Sequence, residues 1–154
     1  MELKNTVAIV TGGARGIGRG IAYELAKEGV RIAVADLPAV SADRDETIAE
    51  IKRLGSDAIA VDVDVRDFAQ CQAMVQAAIG KWGQVDILVN NAGVIKVGPV
   101  FMCAEEDWDL VQDVNVKGTF LCSKAVAPHM IERRIGRVIN LSSMAGKSGR
   151  AGVS

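Results

Sequence analysis

Glycines cluster at one point of the sequence, between a short apolar run and a helical pattern. Residues 7–26 read VAIVTGGARGIGRGIAYELA. Gly12 suits a tight turn after the strand, Gly16 lets a ligand approach the backbone, and Gly18 lets the helix pack against the strand. The N–H groups at the helix start, that of Ile17 among them, have no partners within the helix and carry the positive end of its dipole. This stretch therefore predicts a strand–turn–helix unit that binds the pyrophosphate of a nucleotide.

Apolar runs alternate with helical patterns along the whole chain. Several runs are nearly continuous, as in strands buried on both faces of a parallel sheet. The apolar runs are Val7–Val10, Arg31–Ala35, Ala58–Val65, Val85–Val89 and Arg137–Leu141. The helical patterns are Gly16–Glu28, Ser41–Leu54, Asp67–Trp82 and Glu105–Met130, the last divided near Asn115–Gly118. This order predicts a Rossmann-type α/β fold with a doubly wound parallel sheet, and one dinucleotide-binding domain over residues 1–154.

The acid Asp36 ends the second apolar run, about twenty residues beyond the last glycine of the turn. A carboxylate there can accept hydrogen bonds from both adenine-ribose hydroxyls of NAD, and it repels the additional phosphate of NADP. Arg15 favours NADP instead, because a guanidinium beside the turn can reach a 2′-phosphate. Leu37 adds no second positive charge. Asp36 and Leu37 favour NAD, Arg15 favours NADP, and the balance favours NAD without excluding NADP.

Composition excludes several other classes of protein. Of the 154 residues, 49% are hydrophobic and 24% charged, and the formal net charge is −1. This balance gives no field that would attract nucleic acid or an anionic membrane. The apolar stretches are too short to cross a bilayer, and the N-terminal residues show no signal peptide. Cys71, Cys103 and Cys122 are widely spaced and odd in number, which indicates reduced thiols in a cytoplasmic protein and no metal site.

Four short motifs follow one another in the chain. They are TGGARGIG at Thr11–Gly18, NNAG at Asn90–Gly93, NVKG at Asn115–Gly118 and INLSS at Ile139–Ser143. Together they resemble the classical short-chain dehydrogenase/reductase (SDR) family, and the resemblance covers essentially the whole chain from Lys4. It implies a nicotinamide cofactor, a small alcohol or ketone as substrate, and assembly of the whole protein as a homodimer or homotetramer.

The resemblance also assigns cofactor contacts to individual residues. It places Gly12, Gly16 and Gly18 at the pyrophosphate and Asp36 at the adenine ribose. The other contacts that it implies are Asp64 and Val65 at the adenine, with Asp62 matching less well, and Asn91, Ala92 and Gly93 near the nicotinamide-side ribose.

For catalysis the resemblance implies two residues of this chain. Asn115 would hold a water molecule in a proton relay. Ser143, which matches the family's serine better than Ser142, would hydrogen-bond the substrate oxygen. The family's acid/base is a Tyr in a Tyr-x-x-x-Lys pattern beyond the serine, and the sequence stops first. Tyr23, the only tyrosine, lies in the first helix and cannot take that role. We therefore expect a portion of a longer protein, truncated before the last strands and inactive by itself.

Three functions remain open on the sequence. The leading hypothesis is that the whole protein is an NAD-dependent oxidoreductase that interconverts a secondary alcohol and a ketone by hydride transfer. The first alternative is an NADP-dependent 3-oxoacyl-thioester reductase, which Arg15 supports and Asp36 opposes. The second alternative is a nucleotide-binding module without turnover, since the Tyr-x-x-x-Lys pattern is absent from the sequence.

Overall fold

The structure is a computed structural model that describes residues 2–144, in which helices connect the successive strands. The strands are β1 (Val7–Thr11), β2 (Arg31–Asp36), β3 (Ala58–Asp62), β4 (Ile87–Asn90) and β5 (Arg137–Asn140). The α-helices are α1 (Gly16–Lys27), α2 (Ser41–Arg53), α3 (Phe68–Trp82), α4 (Glu105–Gln112) and α5 (Thr119–Arg133). Short 3₁₀ turns lie at Pro38–Val40 and Val100–Met102, and a π-helical segment, Asp113–Gly118, joins α4 to α5.

The sheet is parallel, with strand order β3-β2-β1-β4-β5. The chain proceeds outward from β1 to β3 and then returns to the other side of β1. This reversal places a crevice between β1 and β4 at the carboxyl ends of the strands, where ligands bind in such sheets. Thr11, Asp36 and Asn90, the last residues of three strands, all lie at this edge.

Apolar side chains pack on both faces of the sheet, as the continuous runs predict. On one face, Ile32 and Val34 belong to a buried cluster with Ala22 of α1 and Ile51 of α2. On the other face, the buried cluster is contributed by β1, β2, β3 and β4 together with α3 and α5. The doubly wound α/β fold predicted from the sequence is therefore confirmed.

The observed elements differ from the predicted ones mainly at their ends. The third strand ends at Asp62, three residues before the predicted Val65, because Asp64 begins a hydrogen-bonded turn in which its carboxylate accepts from the Arg66 N–H. The fourth strand begins at Ile87, two residues after Val85. The predicted division of Glu105–Met130 is confirmed, although the second helix continues to Arg133.

Within residues 2–144, no helix is long and apolar enough to cross a membrane. The same residues contain no group of three or more His, Cys, Asp or Glu side chains placed to hold a metal ion.

Candidate cofactor-binding site

A groove of about 430 Å³ lies at the carboxyl edge of the sheet. Its volume falls within the range of small-molecule sites. Ten of the predicted cofactor residues line it, namely Gly12, Arg15, Ile17, Asp36, Leu37, Asp64, Val65, Asn91, Ala92 and Gly93. Val40, Val63, Arg66, Val94, Leu110 and Val114 complete the lining.

The glycine turn has the backbone geometry that its sequence predicts. Gly12 and Gly16 have φ angles of +62° and +57°, in the left-handed region that glycine adopts without a steric penalty. A Cβ at Gly18 would lie 2.1 Å from the carbonyl oxygen of Gly12, so only glycine allows α1 to approach the turn this closely. A Cβ at Gly16 would meet nothing within 4 Å, which leaves the space beside this residue open to a ligand.

The N-terminus of α1 is suited to an anion. Its N-cap residue, Arg15, makes no side-chain capping hydrogen bond, and the first turn carries no acidic residue. The first backbone N–H groups of the helix therefore lack the partners that a capping side chain would supply. Arg15 and Ile17 are exposed and line the groove. This arrangement fits the pyrophosphate of a dinucleotide.

The carboxylate of Asp36 is held at the end of β2 by two backbone N–H groups. Ala14 N donates to Oδ2 at 3.0 Å, and Leu37 N donates to Oδ1 at 2.9 Å. A carboxylate has about four acceptor positions, so both oxygens can still accept a ribose hydroxyl. The chemistry of this residue fits an adenine ribose that lacks a 2′-phosphate.

Asn91 joins β4 to the glycine turn. Its side-chain amide donates to the carbonyl oxygens of Thr11 and Gly12, at 2.9 and 3.0 Å. The hydroxyl oxygen of Thr11 accepts in return from the N–H groups of Asn91 and Ala92, both at 3.1 Å. These bonds fix the two strand ends that flank the crevice.

Asp64 and Arg66 form an ion pair at the edge of the groove. Arg66 Nη2 lies 2.6 Å from Asp64 Oδ2, and Arg66 Nε lies 2.9 Å from Oδ1. The hydrogen bond from Arg66 holds the pKa of the Asp64 carboxyl below its ordinary value, and the carboxylate raises the pKa of Arg66. Both residues line the groove, so this charged pair borders whatever occupies it.

The two predicted catalytic residues do not line the groove. Asn115 lies in the π-helical segment, where its Oδ1 accepts from Val94 N and its Nδ2 donates to Val94 O, both at 2.9 Å. The side chain thus bridges to the loop that follows β4. Ser143 is exposed and lies beyond the end of β5 at Asn140. Residues 145–154, including Lys147, lie outside the described residues.

Several lining residues were missed by the sequence analysis. They are Val40, Val63, Arg66, Leu110 and Val114. Val63 and Arg66 flank the predicted adenine contacts, so widening that segment by one residue on each side would have found them. Val40, Leu110 and Val114 carry no local signal, because the folding of distant segments brings them to the groove.

The comparisons with known proteins agree with this fold. Residues 6–154 match the family model described as short chain dehydrogenase. The chain belongs to the short-chain dehydrogenase/reductase family.

Two curated relatives illustrate the range of activities in the family. The chain is 39% identical over 145 residues to the 3-oxoacyl-(acyl-carrier-protein) reductase FabG of Staphylococcus aureus strain Mu50. This match covers 94% of this chain and 58% of the relative. It is 41% identical over 152 residues to the galactitol 2-dehydrogenase of Agrobacterium fabrum, and this match covers 98% of this chain and 57% of the relative. The chain thus spans less than two thirds of the length of these relatives.

A solved structure shows the same architecture with a cofactor. The short chain dehydrogenase/reductase of Burkholderia phymatum in complex with NAD superposes with a TM-score of 0.94 at 31% sequence identity. The match covers 99% of this chain and 54% of that one.

Proposed function

We propose that the whole protein is an NAD-dependent oxidoreductase that interconverts a secondary alcohol and a ketone. The observation that carries the proposal is the Asp36 carboxylate, which lines the groove beside the glycine turn. NAD supplies hydride transfer at its nicotinamide ring. The residues of this chain bind and orient it, with Gly12, Arg15 and Ile17 at the pyrophosphate.

The remaining predicted residues would contact the other parts of the dinucleotide. Asp36 and Leu37 would contact the adenine ribose, and Asp64 and Val65 the adenine. Asn91, Ala92 and Gly93 would lie along the nicotinamide-side ribose, and Gly16 and Gly18 would shape the pyrophosphate turn. In the proposed reaction Ser143 hydrogen-bonds the substrate oxygen and Asn115 positions a water molecule for proton transfer.

An NADP-dependent 3-oxoacyl-thioester reductase is a second candidate. Arg15 lines the groove and, among residues 2–144, forms no ion pair with an acidic side chain. Its guanidinium would be available to a 2′-phosphate. The negative charge of Asp36 opposes this candidate, because it would repel a 2′-phosphate. The choice between the two hypotheses therefore depends on whether the Asp36 carboxylate or the Arg15 guanidinium has the larger effect on the cofactor.

Calorimetric titration of the purified protein with NAD and NADP separates them. We expect tighter binding of NAD, and we expect Asp36→Asn to reduce the preference, because asparagine keeps an acceptor for Ala14 N but loses the charge. Asp45→Asn, which removes an exposed carboxylate of α2, is the matched control. Tighter binding of NADP by the unsubstituted protein would favour the reductase.

Turnover decides between an enzyme and a binding module. A panel of secondary alcohols and polyols is incubated with NAD, and the absorbance of the reduced nicotinamide is followed. Reduction of NAD supports the dehydrogenase. Binding of NAD without reduction by any member of the panel would support a module without turnover.

We also infer that the whole protein is a cytoplasmic homo-oligomer. Large apolar side chains are exposed in the 3₁₀ turn before α4, in α4 and in α5, including Phe101 at 84%, Trp108 at 56% and Phe120 at 59%. Apolar surface of this kind is commonly covered by another subunit. Light scattering after size-exclusion chromatography would contradict the inference if the protein eluted as a monomer at micromolar concentration.

A further inference from the structure

The backbone of Ala14, in the middle of the glycine turn, is held at both its N–H and its carbonyl group. Its N–H donates to the carboxylate of Asp36 at 3.0 Å. Its carbonyl oxygen accepts from Nε of Arg19 at 2.9 Å and from the hydroxyl of Thr47 at 2.8 Å, the shorter of the two contacts of that hydroxyl, which also lies 3.0 Å from the carbonyl oxygen of Asp43. Ala14 and Thr47 are both completely buried. A buried carbonyl with two donors is more firmly fixed than an ordinary turn requires.

Both donors connect the turn to α2. Thr47 belongs to the second turn of that helix. Arg19 extends from α1, and its Nη2 donates to the backbone oxygen of Asp43 at 3.2 Å and to its carboxylate at 3.3 Å. Nη1 of Arg19 lies 3.3 Å from Glu46 Oε2. The amino-terminal half of α2 therefore supports the glycine turn through Thr47 and Arg19, neither of which lines the groove.

The turn needs such support because of its glycines. Gly12, Gly13 and Gly16 surround Ala14, and glycine loses more backbone freedom on ordering than any other residue. A turn that is ordered before binding spares the ligand the free energy of ordering it. Gly16 and Ile17, which follow in the sequence, are exposed, and the direction of their N–H groups depends on the peptide units before them.

We propose that Thr47, assisted by Arg19, is a positioning residue that sets the affinity of the glycine turn for a pyrophosphate. The hydroxyl of Thr47 acts through Ala14 and does not itself line the groove. This inference rests on the proposed function, since the pyrophosphate is that of the dinucleotide.

Thr47→Val tests the proposal because valine keeps the shape of the side chain and removes the hydroxyl. Calorimetry with NAD is expected to show an affinity about fivefold lower, the equivalent of one ordinary hydrogen bond. ADP-ribose, which keeps the pyrophosphate, is expected to lose the same factor. Adenosine, which lacks it, is expected to bind as it does to the unsubstituted protein. Thr47→Ser, which restores the hydroxyl, is expected to recover most of the affinity.

Ser56→Ala is the matched control. Ser56 also donates its hydroxyl to a main-chain carbonyl, that of Val30 at 2.6 Å, but lies at the opposite edge of the sheet. Its removal is expected to lower the thermal midpoint and leave the affinity for NAD unchanged. Equal affinity in Thr47→Val and the unsubstituted protein, or equal losses in Thr47→Val and Ser56→Ala, would overturn the proposal. Failure of the unsubstituted protein to bind any dinucleotide would instead overturn the proposed function.

Discussion

Asn91 and Gly12 are joined by a hydrogen bond of 3.0 Å, from the side-chain amide of the first to the carbonyl oxygen of the second. The bond connects the end of β4 to the glycine turn after β1. Gly18 lies directly beside it, since a Cβ there would fall 2.5 Å from the Asn91 amide nitrogen and 2.1 Å from Gly12 O. The absence of a side chain at Gly18 is therefore what allows strand end, turn and helix to meet.

Gly18→Ala is expected to destabilise the protein and to weaken binding of NAD. The methyl group would meet main-chain atoms, which cannot rotate away as a flexible side chain can. Overpacking of this kind costs about 1–3 kcal/mol of the free energy of unfolding. Urea denaturation gives the stability, and calorimetry gives the affinity, which we expect to fall by about tenfold or more because the turn must shift.

Gly20→Ala is the control for this substitution. Gly20 lies in the same helix, and a Cβ there would meet nothing within 4 Å. Alanine is the better helix former, so stability is expected to rise by about 0.5–1 kcal/mol with no loss of affinity. The steric explanation is wrong if the two variants behave alike.

The titration of Asp64 offers a second prediction. The hydrogen bond from Arg66 lowers the pKa of this carboxyl in the folded state. A depressed folded-state pKa means that the pair stabilises the fold above the unfolded pKa, which is about 4, and that this contribution is lost as the pH falls through the folded pKa. Carbon NMR of the carboxyl groups is expected to show Asp64 titrating below its ordinary value, and Arg66→Gln is expected to raise the midpoint.

Arg53→Gln is the counterpart on the surface of α2. Arg53 pairs with Glu50 and lowers the pKa of that carboxyl in the same way. This variant is expected to raise the midpoint of Glu50 and to leave Asp64 unchanged. If Asp64 kept its midpoint in Arg66→Gln, the observed ion pair would not be the cause of the shift.

Local features of the fold could be predicted from the sequence because the residues that specify them are neighbours. The third helix begins one residue after its predicted start at Asp67, whose carboxylate accepts from the N–H groups of Ala69 and Gln70. The division of the last helical pattern near Asn115 was also predicted. The partner of its side chain was not, since Val94 is 21 residues away and meets it only in the folded chain.

In the candidate site, too, some features have a local sequence signal and others depend on contacts between distant segments. The glycine turn and Asp36 carry local signals, and both lie at the groove. Support of the turn by Thr47 carries none, because a threonine in a helix has no feature that indicates a distant carbonyl as its partner. Sequence motifs identified ten of the residues that line the groove, while the residues behind them required the three-dimensional structure.

Cysteine reactivity provides the last prediction. Cys71 and Cys122 are fully buried between α3 and α5, with their sulfur atoms 3.6 Å apart, whereas Cys103 is exposed. The hydrogen bond with Cys71 and burial both raise the pKa of the Cys122 thiol, which keeps it protonated and unreactive. Iodoacetamide is therefore expected to modify Cys103 alone in the folded protein and all three thiols in denaturant, as peptide mass spectrometry would show. Cys103→Ser is expected to leave the folded protein unmodified, and modification of Cys122 at the rate of Cys103 would show that α3 and α5 separate in solution.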